Sequence, residues 1–362
     1  MKWIEKPCPQ RDSCFKDNAI QRQAQLTKPA GSLGRLEDIA IRLADCQQSD
    51  QPTINNIAIS VFAADHGIAE EGVSAFPQEV TQQMVVNFLQ GGAAISVMAK
   101  HLKADLEVVD VGMLTTLTET LPKTLSKSLI SHRAGNGTKN MLNQPAMTED
   151  QLSTAFAAGY EAIERAIKNK ADLFIGGEMG IANTTSAAVL YCALLGLTPE
   201  QAAGAGTGLD EKGIQHKIKI VKAILDKHGD CDESIEQGCK NKTLQWLRCT
   251  GGFEIVALTG AYVRAAQCGL PVLVDGFIST VAALCAVCIQ PEMNDYLFFS
   301  HISAEQGHQK VLENLQQEPL LDLGMRLGEG SGSAVAVSLL QSACVLHNQM
   351  ATFEEAAVAT SK

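Results

Sequence analysis

The strongest constraint on how this chain can fold is an alternation of short, continuous apolar runs with longer amphipathic or alanine-rich segments. Ile57–Ala63 (IAISVFA) reads as a buried strand, and Leu106–Val111, Leu173–Ile175, Val272–Val274 and Tyr296–Phe299 repeat the pattern. Between them lie helix-like stretches such as Val80–Leu102, Glu149–Lys168, Thr185–Leu197 and Glu211–His228. This order predicts an α/β fold with a mostly parallel sheet, whose strands are apolar throughout because both faces are covered. The first 25 residues are polar and lack the strand pattern, and Ala334–Met350 reads as a helix. The two chain ends are therefore expected to form a smaller helical unit beside the sheet. His228–Lys242 (HGDCDESIEQGCKNK) reads as a surface loop.

At 362 residues, 46% hydrophobic and 19% charged, the chain is too apolar for disorder and long enough for one large or two unequal domains. Its formal net charge of −11 offers no general field to hold a polyanion, which argues against nucleic acid as a partner. No apolar run reaches the roughly 18 residues that span a bilayer. Met1–Asp12 is charged, so no signal peptide is expected, and the expected compartment is the cytoplasm. The 11 cysteines are odd in number and irregularly spaced. Cys285 and Cys288 lie in apolar Val281–Ile289, where helical spacing makes them small core residues, while Cys231 and Cys239 sit in an acidic stretch without matching histidines.

Chemistry gathers after the strands. Asp65-His66-Gly67 follows the first and Asp110-Val111-Gly112 ends the second. Gly176-Gly177-Glu178-Met179-Gly180, Asp275-Gly276 and Ser300-His301 follow the others, and Leu321-Asp322-Leu323-Gly324 leads into Gly328-Glu329-Gly330-Ser331-Gly332. The carboxyl edge of a parallel sheet is where such folds bind ligands, and glycines there let the backbone come close. Gly204-Ala205-Gly206-Thr207-Gly208-Leu209-Asp210 precedes a helix and has two open readings, a phosphate cradle or a plain interhelical turn. It lacks the lysine of an ATP-binding loop.

Glu178 and Glu329 each lie in a glycine-rich turn before an expected helix. Either is a dipole-friendly cap or a general base presented to a ligand, and whether burial or the helix end governs its pKa is open. Ser300-His301-Ile302-Ser303-Ala304-Glu305-Gln306-Gly307-His308, with Asp65-His66 on another loop, supplies metal-ligating residue types. There is no HExxH and no closed four-ligand set, so hydrogen-bonding roles are expected and a metal is not.

Together these motifs resemble the nicotinate-nucleotide–dimethylbenzimidazole phosphoribosyltransferase family. The resemblance runs from Leu26-Thr27-Lys28-Pro29-Ala30-Gly31-Ser32-Leu33-Gly34-Arg35-Leu36-Glu37 to about Ala336. It includes Phe62–Ile68, Gly72–Thr81, Gly91–Ile95, Gly177–Thr185, Gly206–Gly208, Gly251–Glu254, Val274–Phe277 and Leu323–Gly332. Ala30 stands where the family often has a second proline, and Ala182 where it often has glycine.

The resemblance implies a Rossmann-like three-layer α/β fold, with a large catalytic domain over 29–335 and a small helical domain from 1–28 and 336–362. It also implies a homodimer and no cofactor. The implied reaction moves the 5-phosphoribosyl group of nicotinate mononucleotide to 5,6-dimethylbenzimidazole with anomeric inversion, a step of cobalamin nucleotide-loop assembly. By match to the family, Glu329 is the base and Glu178 a second carboxylate near the ribosyl group. The phosphate is expected at Gly206, Thr207 and Gly208, with Gly180, Asn183 and Thr184 nearby. Ser74 and Gln82 belong to the benzimidazole-lining segment, and Phe76 and Met179 are candidate apolar faces. Asp275, Ser303 and Gly328 complete the expected site. Two competing classes stand beside this reading: a metal-dependent phosphohydrolase using Asp65, His66, Asp275 and His301, and a nucleotide sensor without turnover.

Overall fold

The computed structural model describes residues 1–117, 122, 125, 128–229 and 238–359. A six-stranded parallel sheet forms its centre: β1 (Ile57–Ala64), β2 (Asp105–Gly112), β3 (Leu129–Ser131), β4 (Leu173–Met179), β5 (Val272–Val274) and β6 (Leu297–Phe299). The strand order is β3-β2-β1-β4-β5-β6. The direction of winding reverses between β1 and β4, and that switch point opens a crevice beyond the strand ends. Every residue of β1 is buried, which explains why it reads as an unbroken apolar run. β3 was not expected; only three residues long, it pairs with β2 through Val108↔Leu129 and is too short to carry a pattern.

Among the described residues, the α-helices of seven residues or more are α1 (Ser13–Gln25), α2 (Arg35–Gln47), α3 (Glu79–Gln90), α4 (Ala94–Leu102), α5 (Glu149–Lys168), α6 (Asn183–Leu195), α7 (Glu211–Lys227), α8 (Gly238–Thr250), α9 (Phe253–Gln267), α10 (Phe277–Ile289), α11 (His308–Asn314) and α12 (Ser331–Gln349). The stretch expected as one helix over Val80–Leu102 is two, because Gly91 takes a left-handed φ of 83° and ends α3. The expected loop His228–Lys242 is helical from Gly238 onward; its centre, with Cys231, lies outside the described residues. Cys285 is buried and Cys288 partly buried on the single helix α10.

The chain ends meet. Leu26 bridges Thr352 antiparallel, and Arg22 donates to the carbonyls of His347, Asn348 and Met350 at 2.6, 3.0 and 3.3 Å. A guanidinium thus satisfies carbonyls that the last turn of α12 leaves without helical partners. The other end of the same helix reaches the crevice. Among the described residues, no helix is long and apolar enough to cross a membrane.

Candidate active site

Glu178 is the penultimate residue of β4, and the loop before α12 folds over it. Gly328, Glu329 and Gly330 all have left-handed φ, at 83°, 64° and 90°. Glycine accepts that conformation freely and glutamate does not, so Glu329 is held in a strained position by its neighbours. The loop lies against the sheet because Gly177 has no side chain: a Cβ there would sit 2.6 Å from the Glu329 carbonyl carbon and closer still to its oxygen. A Cβ on Gly328 would run into Glu178 Oε1.

The two carboxylates are held differently. Asn183 donates to Glu178 Oε2 at 2.5 Å. Burial, with Glu254 and Asp275 nearby, pushes the Glu178 carboxyl up to about 8, against the pull of Asn183 and the Glu329 N–H. Burial therefore decides the balance that the sequence left open. Glu329 is also pushed up, chiefly by burial and further by Asp275, while the Ile95 N–H at the start of α4 draws it down. Its Oε2 is buried without a hydrogen-bond partner. Neither carboxylate caps the helix that follows it; the N-caps of α6 and α12 are Ala182 and Gly330. Ala182 sits at a left-handed φ of 76°, the physical reason a glycine suits that position.

Asp275 fastens the Glu329 loop. Its Oδ2 accepts the Gly330 N–H at 3.2 Å and its Oδ1 the Ser333 N–H at 2.9 Å, capping α12 from β5. His301 Nδ1 lies 3.0 Å from Ser300 Oγ and 3.9 Å from Asp275 Oδ1. His308 is fully committed: Nδ1 accepts the Ser303 N–H at 2.8 Å, and Nε2 lies 2.8 Å from Thr280 Oγ1. Burial drives its pKa down to about 3, so the ring is neutral. His66 pairs instead with Glu254 at 2.7 Å, behind Gly180. Among the described residues, no three His, Cys, Asp or Glu side chains converge as a metal set.

A cluster of opposite character lies at Gly206. Lys217, on α7, is buried and donates to Thr184 Oγ1 at 2.7 Å. Burial lowers its pKa to about 8, with Glu305 opposing. Arg326 donates to the Gly206 carbonyl at 3.3 Å, and the Gly206 N–H donates to Glu305 Oε2 at 3.3 Å. The N-terminus of α7 is already capped, since Asp210 Oδ1 accepts the Gly213 N–H at 2.8 Å.

Glu178, Glu329, Asp275, His301, Thr184, Gly206, Glu305 and Arg326 border one cavity of about 350 Å³, with Lys217 behind Thr184 and outside the lining; its apolar sides are Phe76, Val80, Met84, Ile181, Phe277 and Leu327. It combines an apolar wall, buried carboxylates and a cationic corner at Gly206, as a small aromatic and an anionic group together require. A family model described as phosphoribosyltransferase matches residues 8–358. The chain is similar to the nicotinate-nucleotide–dimethylbenzimidazole phosphoribosyltransferase of Pseudomonas putida KT2440, at 52% identity over 99% of this chain and 98% of the relative. The corresponding transferase of Xanthomonas euvesicatoria pv. vesicatoria is 51% identical, with 98% of each chain covered. The crystal structure of CobT from Thermus thermophilus superimposes with a TM-score of 0.86 at 42% identity, covering 96% of this chain and 99% of its own. The chain belongs to the nicotinate-nucleotide–dimethylbenzimidazole phosphoribosyltransferase family. As a member, it is a pentosyltransferase.

Within this transferase, Glu178, Glu329, Phe76, Met179, Gly180, Asn183, Thr184, Gly206, Thr207, Asp275, Ser303 and Gly328 all line the cavity. Three expected residues are not among its lining. Ser74 stands at the edge, its Oγ 3.2 Å from Thr207 Oγ1. Gln82 is partly buried on α3, on a different face from Val80 and Met84. Gly208 has its N–H committed to Ala205 O at 3.0 Å, and so offers no donor to a phosphate. Asn183, expected near the phosphate, donates to Glu178 from the cavity wall. Lys217 was missed. Its signal was a lysine on the buried stripe of an amphipathic helix, in line with Val221 and Ile224.

Proposed function

We propose that this transferase moves the 5-phosphoribosyl group of nicotinate mononucleotide to 5,6-dimethylbenzimidazole, forming α-ribazole 5′-phosphate and nicotinate with inversion at the anomeric carbon. The observation that carries the reading is Glu329: its carboxylate, with one buried oxygen unpartnered, lines a largely apolar cavity that Arg326 also lines. A carboxylate held by one N–H, with its second oxygen unpartnered, is suited to take a proton from an aromatic N–H. The names of the relatives support the same pair of substrates.

In this reading the donor phosphate sits at Gly206, Lys217, Thr184 and Arg326, where charge-assisted hydrogen bonds are strongest. The benzimidazole lies between Phe76, Met84 and Leu327. Its free ring nitrogen attacks the anomeric carbon from the face opposite the pyridinium, passing through an oxocarbenium-like state. The carbon–nitrogen bond to nicotinate breaks with its electron pair returning to the ring nitrogen, so that group needs no acid. The proton on the other benzimidazole nitrogen goes to Glu329. Glu178, neutral at pH 7 when its pKa is near 8, is drawn toward its ionised form by the cationic donor and then stabilises positive charge on the sugar. Asp275 keeps Glu329 in place. We further read the enzyme as a cytoplasmic homodimer, with a helical unit of 1–28 and 336–362 beside an α/β body of 29–335.

The test is chromatography of the purified protein with both substrates, with and without a chelator, followed by Glu329→Gln. The expected outcome is chelator-resistant α-ribazole 5′-phosphate, a kcat about 10²–10⁴-fold lower in the variant and unchanged donor affinity. Nicotinate or phosphate without the joined product points to a hydrolase, and donor binding without turnover to a sensor.

A further inference from the structure

The cationic corner of the cavity contains one acidic side chain that the proposed reaction does not use. Glu305 Oε2 accepts the Gly206 N–H at 3.3 Å. The same glycine gives its carbonyl to Arg326, and a Cβ on it would lie 3.4 Å from Lys217 Nζ and 2.9 Å from Thr184 Oγ1. Burial pushes the Glu305 carboxyl up, while Lys217, the Gly206 N–H and Arg326 pull it down. A backbone N–H, an ammonium and a guanidinium are the groups a phosphate takes.

We propose that Glu305 is a built-in competitor for the phosphate seat: its carboxylate occupies the Gly206 N–H beside Lys217 and Arg326, and has to yield that N–H for a phosphate to bind. The inference rests on reading this corner as the seat of the donor phosphate. It gives the carboxylate a role in turnover. The phosphate stays on the ribosyl group throughout transfer, so the product leaves against the same contacts that held the donor. A tethered anion beside those contacts weakens the hold on every phosphate-bearing ligand and speeds release. A carboxylate serving only to latch the 204–206 loop predicts the reverse, because losing it would loosen the seat.

Glu305→Gln keeps an oxygen for the Gly206 N–H and removes the charge. Calorimetric titrations with nicotinate mononucleotide, inorganic phosphate and nicotinate riboside, each on wild type and variant, separate the two roles. The mononucleotide and phosphate should bind the variant about tenfold more tightly, since a like charge beside the phosphate has gone, and the riboside should bind both proteins equally. In steady state the donor KM and kcat should fall together. Gly204→Ala, whose added Cβ would lie 2.7 Å from Glu305 Oε2, displaces the carboxylate with its charge intact and should tighten mononucleotide binding in the same direction. Unchanged or weaker phosphate binding by Glu305→Gln overturns the proposal. Lys217→Met tells which premise failed: if it weakens mononucleotide binding while Glu305→Gln does not tighten it, the seat stands and only the competitor is lost. If Lys217→Met leaves mononucleotide binding unchanged, both the seat and the competitor are wrong.

Discussion

Gly177→Ala tests whether a single missing side chain positions the catalytic loop. The added Cβ would lie 2.6 Å from the Glu329 carbonyl carbon and 3.1 Å from Val61 Cγ2. Reaching even 3.4 Å from that carbon moves the peptide by about 0.8 Å, against a strand fixed by its pairing with β1 (Val61↔Gly177). The loop has little freedom to absorb the shift elsewhere. Glu329 is already in a left-handed conformation, and Asp275 holds the next N–H. A displacement of about 1 Å at a reacting group costs about 10²-fold in rate. Overpacking a tight contact costs about 1–3 kcal/mol. The expectation is a folded protein with kcat lowered about 100-fold and stability lowered by about 2 kcal/mol. The assays are initial rates at saturating substrates and urea denaturation. Gly196→Ala is the control: at a left-handed φ of 68° with open space around it, it should cost about 1 kcal/mol and leave kcat unchanged. A Gly177→Ala enzyme with kcat within threefold of wild type would refute the argument that this approach sets the position of Glu329.

Two further variants probe the buried titratable groups. Between pH 4.5 and 8 the folded Glu178 carboxyl holds a proton that the unfolded one gives up. Its contribution to stability is therefore full at low pH and lost as pH rises toward 8, and Glu178→Gln should flatten that fall in denaturation experiments. Donor binding at pH 7 should release a proton, seen by calorimetry in buffers of different ionisation heat, and the same variant should abolish the release; a wild type that releases none contradicts the role. His308→Ala removes the acceptor for the Ser303 N–H and the partner of Thr280, and should cost about 2–4 kcal/mol by urea denaturation. Because the folded ring titrates near 3 and the unfolded one near 6.5, His308 makes the wild type lose stability as pH drops below 6.5, a slope the variant should lack.

What the sequence discloses about this site follows distance along the chain. The strand ends were legible because burial on both faces leaves apolar runs, and the residues after each run fall at the ligand edge by topology alone. β4 delivers Glu178 and Met179 in this way, and β5 delivers Asp275. The break between α3 and α4 was written as Gly91-Gly92, yet the apolar pattern on either side reads as continuous. Local spacing does not encode which groups meet. Lys217 lies 33 residues from Thr184 in sequence and 2.7 Å from it in space. Glu329 looks in sequence like the cap of its own helix, but its carboxylate turns back to the Ile95 N–H at the start of α4. Three consecutive left-handed residues make that turn, and a glycine on a different strand makes room for it. The cost of that conformation and the use made of the carboxylate therefore belong to one arrangement. A cap would have had its oxygens satisfied by the following N–H groups, whereas Glu329 leaves one oxygen buried and without a partner, in the state a base needs.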